Sequence, residues 1–183
     1  MKPASDRKTP IIGVAGWKKS GKTTLVTRLI AEFTARGLKV ATIKHAHHDF
    51  QIDAGETDSA RHRRAGARQV AVVSAKRWAV VHELAGAAEP TLEEAAACLG
   101  PCDLIIVEGY KSAPIPKIEV RRGGAVSHLR LADADASIRA IAADHPVTEQ
   151  HLPVFALDDI AGIADFIAET VGVTAAKPVR AAT

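Results

Sequence analysis

Apolar positions along the chain follow two different periods. Short apolar runs, "IIGVAG" (11–16), "KVATIKH" (39–45) and "DLIIVEGY" (103–110), predict buried strands. Between them, apolar residues return every three or four positions. In "GKTTLVTRLIAEFTARG" (21–37) they are Leu25, Leu29, Ile30 and Phe33, which predicts a helix stopping at Gly37. "TDSARHRRAGA" (57–67) opens on helix-capping residue types and closes at Gly66, predicting a short helix. "TLEEAAACLG" (91–100) has Thr91 and Glu94 in a capping-box arrangement, and "IAGIADFIAETVG" (160–172) predicts a last helix. "RQVAVVSA" and "RWAVVHEL" predict two strands separated by a residue or two, hence a hairpin. "KIEVRR" (117–122) alternates and predicts an edge or half-exposed strand, while "SIRAIAAD" and "LPVFALDD" predict two more.

Strands alternating with helices imply βαβ crossovers, so the expected fold is α/β: a mostly parallel sheet flanked by helices, with the hairpin as an antiparallel insertion. The 183 residues fit one domain, placed at 10–174, between a flexible N-terminus (1–9) and a flexible tail (175–183). Composition sharpens this. Hydrophobic residues make up 47% and aromatics 4%, so the core is built from Ala, Val, Ile and Leu, as around buried parallel strands. The net charge of +3 is too mild to imply nucleic acid. Cys98 and Cys102 have no second pair with which to form a zinc site. The opening "MKPASDRKTP" lacks the apolar stretch of a secretory signal. No apolar run reaches the ~18 residues that span a bilayer. A cytoplasmic protein is expected.

The candidate chemistry begins at the first strand–helix junction. Gly16, Gly21, Lys22 and Thr23 satisfy G-x-x-x-x-G-K-[ST], written "GWKKSGKT". Glycines let the backbone curl so that successive N–H groups point at phosphate oxygens, and the helix N-terminus adds its positive end. Lys22 supplies charge to β- and γ-phosphates, and the Thr23 hydroxyl is a hard oxygen suited to Mg²⁺. The expected nucleotide-binding stretch is Gly16, Trp17, Lys18, Lys19, Ser20, Gly21, Lys22, Thr23 and Thr24. The fold is thereby expected to be that of a P-loop NTPase. Trp17 occupies the position where some ATPases carry a lysine that reaches a partner's nucleotide; Lys18 and Lys19 are solvated loop charge or extra contacts to an anion.

P-loop proteins place an acid at the end of an apolar strand to hold magnesium. Glu108 ends "LIIVE" at the carboxyl end, where ligands of open α/β sheets gather, and Asp103 starts the same strand at the opposite edge. Glu108 and Thr23 are therefore the candidate metal residues. The segment "KHAHHDFQIDAGETDSARHRRAGAR" (44–68) holds four histidines and five basic residues. Three readings are open: a metal site on His45 and His47 with a carboxylate, a second anion or partner site on Lys44 with Arg61, Arg64 and Arg68, which recur at helical spacing, or a solvated polar face. Its mixed charge argues against a nucleic-acid tract. No N-K-x-D or T-K-x-D follows a strand, so guanine is not identified; Asp158 and Asp159 are the candidate readers, with helix capping as the alternative duty.

Five stretches in order, "GWKKSGKTTL", "KHAHHDFQID", "DSARHRRAGA", "RWAVVHEL" and "DLIIVEGYK" followed by "PKIEV", resemble the MobB family of molybdopterin-guanine dinucleotide biosynthesis adaptors. The resemblance covers most of 11–122. It implies a GTP-binding P-loop protein, often a homodimer, assisting a MobA-type guanylyltransferase that attaches GMP to molybdopterin. It would put GTP phosphates on Gly16–Thr23 and Mg²⁺ at Glu108. The family often has "KPGKDS" where this chain has "AGETDS" (54–59), so no role is carried to that loop. The expectation is a Mg·GTP-binding adaptor with weak GTPase activity. The rivals are a P-loop small-molecule kinase and a GTP-dependent binding module without catalysis.

Overall fold

A computed structural model describes residues 8–46, 52, 55–127, 129–148 and 151–174. They form two compact units, one from the described residues of Met1–His45 and Leu92–Thr183, the other from those of Ala46–Thr91.

The larger unit is a parallel sheet. Its strands are β1 (Ile11–Ala15), β2 (Val40–Lys44), β5 (Leu104–Glu108), β6 (Lys117–Arg121), β7 (Ile138–Ala143) and β8 (Val154–Ala156), in spatial order β2-β5-β1-β6-β7-β8. Two-residue alternation sorts the side chains. Ile12, Val14, Leu104, Ile106, Ile118, Val120, Ala140 and Ala142 face one side. There they meet α1 (Lys22–Ala35) through Leu25, Val26, Leu29 and Phe33, and α4 (Ile160–Val171) through Ile163, Ala164 and Ile167. Ile105 and Val107 face the other side, beside Leu92 of α3 (Leu92–Ala97). The buried guanidinium of Arg36 ties α1 to α4, contacting Glu32 and Asp165.

The smaller unit contains α2 (Asp58–Arg64) and an antiparallel ribbon of β3 (Gln69–Val73) and β4 (Trp78–His82). The hairpin is as expected, but its turn spans 74–77, braced by the Ser74 hydroxyl accepting from the amides of Lys76 and Arg77.

Two sequence expectations are corrected here. β6 is not an edge strand: it lies between β1 and β7, with Lys117 and Glu119 each 1% exposed. Its charges are tolerated because each is partnered. Lys117 Nζ donates to Asp135 (2.9 Å), Ser137 and the Ala113 carbonyl. Glu119 accepts from Arg121 and from the amides of Leu131 and Ala132, which open a single 3-10 turn at Leu131–Asp133. Second, α2 ends at Arg64, with Ala65 as its cap, so Arg68 lies beyond the helix and shares no helical face with Arg61 and Arg64.

Candidate functional site

All six strands run the same way, so Ala15, Lys44, Glu108, Arg121, Ala143 and Ala156 end at one edge of the sheet. The loops that follow them build the site.

Gly16 to Gly21 connect β1 to α1. Gly16 has φ 155, and a Cβ there would lie 2.6 Å from Ser20 Oγ and 2.7 Å from the Val120 carbonyl, so only glycine fits. Gly21 caps α1 in a left-handed conformation (φ 93) and supplies no side-chain hydrogen bond. The first-turn amides of this fourteen-residue helix are thus left for an anion. Ser20 Oγ is buried inside the loop against Gly16 and has no hydrogen-bond partner. Lys18 and Lys19 are exposed, with Lys19 at φ 65. Lys22 Nζ donates to the Trp17 carbonyl at 2.8 Å. Burial lowers the Lys22 pKa, Lys111 and Lys44 lower it further, and Glu108 opposes them.

Strand register delivers the acid. Glu108 is aligned with Val14 on β1 and Lys44 on β2. The Thr23 hydroxyl donates to Glu108 Oε1 at 2.8 Å, and Lys44 Nζ lies 3.6 Å from the same oxygen. Thr23 and Glu108 are therefore brought together as the sequence suggested, and Lys44, which the sequence grouped with the histidine–arginine segment, joins them. Asp103 accepts from the Lys39 amide at the opposite end of β5.

A cavity of about 570 Å³ opens beside the start of α1, lined by Gly21, Thr24, Arg28, Arg122, Asp144, His145 and Asp158 among others. Asp158 is exposed on its rim, and its carbonyl accepts from Arg28. Asp159 instead caps α4, accepting from the Gly162 amide at 3.0 Å. Arg122 and Asp144 were not singled out from sequence. Arg122 Nε lies 3.4 Å from Asp144 Oδ2, and Asp144 Oδ1 accepts from the Gly123 amide. Hydrogen bonds from His145 and Gly123 hold the Asp144 pKa below its usual value against slight desolvation, so it is charged at neutral pH. The only sequence signal for either residue is its place directly after a strand.

The remaining candidates separate. His45 stacks on Tyr110, ring centroids 4.6 Å apart. His47 lies outside the described residues, as do Asp49 and Asp53. Among the described residues no group of three or more His, Cys, Asp and Glu is placed to hold a metal ion. Arg64 is gripped by both oxygens of Glu56, and Arg61 lies 3.9 Å from Asp58, so their charge is partly answered within their own unit. No helix among the described residues is long and apolar enough to cross a membrane.

A parallel sheet with a glycine-rich G-x-x-x-x-G-K-[ST] loop between a central strand and a glycine-capped helix defines a P-loop NTPase fold. Within that class the chain belongs to the MobB family: the family model for molybdopterin guanine dinucleotide synthesis protein B matches residues 11–144. The molybdopterin-guanine dinucleotide biosynthesis adapter protein of Escherichia coli (strain K12) is 39% identical over 164 residues, 87% of this chain and 92% of that protein. Its counterpart from Haemophilus influenzae is 36% identical over 167 residues, 86% and 87% of the two chains. The crystal structure of Bacillus subtilis MobB superposes with a TM-score of 0.68 at 27% identity, covering 88% of this chain and 98% of that one. A crystal structure of molybdopterin-guanine biosynthesis protein B gives the same TM-score at 26% identity, covering 87% and 99%.

Proposed function

We propose that this protein binds Mg·GTP, hydrolyses it slowly, and serves in the cytoplasm as an adaptor for molybdopterin guanine dinucleotide synthesis, with molybdopterin and a MobA-type guanylyltransferase as partners. The observation that carries the reading is the Thr23–Glu108 contact at the N-terminus of a helix whose cap, Gly21, offers no side-chain hydrogen bond. It pairs a hydroxyl and a carboxylate, two hard oxygens, where Mg²⁺ would also meet phosphate oxygens. Magnesium characteristically takes only one or two protein oxygens and completes its shell with phosphate and water. The residues present fit that ion. It would supply charge for the triphosphate, while Lys22 and the first-turn amides bind and orient it. Guanine recognition falls to the neighbouring cavity. Asp158 and Asp144 bring carboxylates to its walls, and ionised carboxylates only accept, matching the N1–H and 2-amino donors of guanine.

Titration calorimetry with Mg·GTP, alongside assays of phosphate release and of guanylyltransferase stimulation, tests the proposal; phosphate transfer to a small acceptor would favour a kinase. Glu108→Gln is expected to leave GTP affinity in EDTA nearly unchanged and to shift the Mg²⁺ dependence by about tenfold. An unchanged magnesium titration would move the metal role elsewhere.

The ribbon supports a homodimer. Isolated two-stranded hairpins are marginal in water. This one exposes Val72, Val73, Trp78 and Val80, with Val73 75% and Trp78 69% exposed and directly cross-strand from each other. Val73→Asp is expected to convert a dimer to monomer in sedimentation experiments. A variant that sediments like the parent would place the interface elsewhere.

A further inference from the structure

Lys44, Lys111 and Glu108 all lie close enough to act on the charge of Lys22. Glu108 is already committed to Thr23 and Lys44. Lys111 is held differently: its Nζ rests 3.9 Å above the centroid of the Trp17 ring. The chain brings it there by reversing just after β5, with consecutive left-handed residues at Gly109 (φ 94) and Tyr110 (φ 46). Holding a non-glycine residue at positive φ costs energy, so this turn is fixed by its surroundings. Tyr110 packs on His45, and Gly109 donates to the Val14 carbonyl.

The indole is also fixed. Trp17 Nε1 donates to the Leu129 carbonyl at 2.6 Å, and the Trp17 carbonyl accepts from Lys22 Nζ and from the Ser20 amide. Trp17 thus marks the outer end of the phosphate loop, where Lys22 reaches. The cavity beside Gly21 and Thr24 lies toward the other end of the loop, and Trp17 does not line it. If that cavity takes the base, the phosphate chain ends near Trp17.

We propose that Lys111 binds the outermost phosphate of a nucleoside triphosphate, delivered from its seat on the Trp17 indole. The inference rests on the nucleotide-binding reading above and adds to it the means of telling triphosphate from diphosphate. A cation–π contact at a part-exposed site is weaker than a charge-assisted hydrogen bond to phosphate, so transfer of the ammonium is downhill when a third phosphate is present. A diphosphate ends short of Lys111 and leaves it on the ring. Because Trp17 also holds Lys22 and Leu129, the presence of the third phosphate is communicated to the loops after β1 and β6.

The test measures GTP and GDP affinities, with magnesium, for the full-length parent, Lys111→Ala and Lys111→Arg. Lys111→Ala is expected to reduce the GTP-over-GDP preference by about tenfold with GDP affinity unchanged, and Lys111→Arg to restore most of it. Trp17 and Trp78 are the only tryptophans. In a Trp78→Phe background GTP should therefore perturb Trp17 emission more than GDP does, and Lys111→Ala should abolish the difference. An unchanged preference in Lys111→Ala, with the parent discriminating normally, overturns this proposal alone. A parent that binds neither nucleotide overturns the proposed function as well.

Discussion

Lys22→Ala is expected to weaken Mg·GTP binding by two to three orders of magnitude and to leave the fold intact. Lys22 is partly exposed and makes one direct hydrogen bond, to the Trp17 carbonyl of its own loop, so its removal opens no cavity in the core. Its cost falls on the ligand. Two charge-assisted hydrogen bonds to β- and γ-phosphates at about 1.5–2 kcal/mol each sum to about 3–4 kcal/mol, or roughly 10²–10³ in affinity. Calorimetric titration reads the affinity, and urea unfolding reads the stability. An affinity within threefold of the parent would remove the phosphate loop from the site. The depressed Lys22 pKa, caused first by burial and then by Lys111 and Lys44, also means that a polyanion entering here relieves repulsion among these lysines.

Lys117→Met is expected to give the largest loss of stability, about 3 kcal/mol, because it removes the three hydrogen bonds of a fully buried ammonium, to Asp135, Ser137 and the Ala113 carbonyl. A chain of this size should lose roughly 10 °C in Tm. The companion effect is on acid sensitivity. Desolvation pushes the Asp135 pKa up, but hydrogen bonds from Ser137 and Lys117 outweigh it and the net shift is downward from 3.8. A depressed folded-state pKa contributes stability that is complete above the unfolded value and lost as pH falls through the folded one. The parent should therefore lose stability progressively below about pH 4, and the variant should show a shallower decline. Urea unfolding at pH 3 and pH 6 that shows the same loss of unfolding free energy in parent and variant would show that Lys117 does not hold Asp135 ionised.

The β1–α1 junction at Gly16–Thr23 and the place of Glu108 at the end of β5 were legible because each is a local pattern: fixed glycine spacing before a helical stripe, and a carboxylate closing an apolar run. The interior position of β6 was not. Lys117 and Glu119 alternate with apolar residues, which reads as a half-exposed strand. Their partners, Asp135, Ser137 and the amides of Leu131 and Ala132, come from a stretch with no periodic signal. Arg122 and Asp144 were missed for a related reason: their pairing is set by adjacency of β6 and β7, which sequence order does not display. Asp159 followed the capping rule, leaving Asp158 on the cavity rim. The arginines of 61–68 looked like one face because helical spacing was extended past the helix end at Arg64.

The Thr23–Glu108 contact joins residues 85 positions apart, and β1 lies between strands that follow it by about as much or more. During synthesis the phosphate loop therefore leaves the ribosome long before its carboxylate exists. The β3–β4 ribbon is complete in between, built only from neighbours in the chain. Long-range parallel pairing closes late, after the entropy of the intervening chain has been overcome. A nascent chain that stops short of β5 can present the glycine-rich motif yet lacks the second oxygen for a metal and the strand that aligns it. On the proposed reading, competence for nucleotide thus arises only once β5 is in place, and an unfinished chain would not compete with the mature protein for the same ligand.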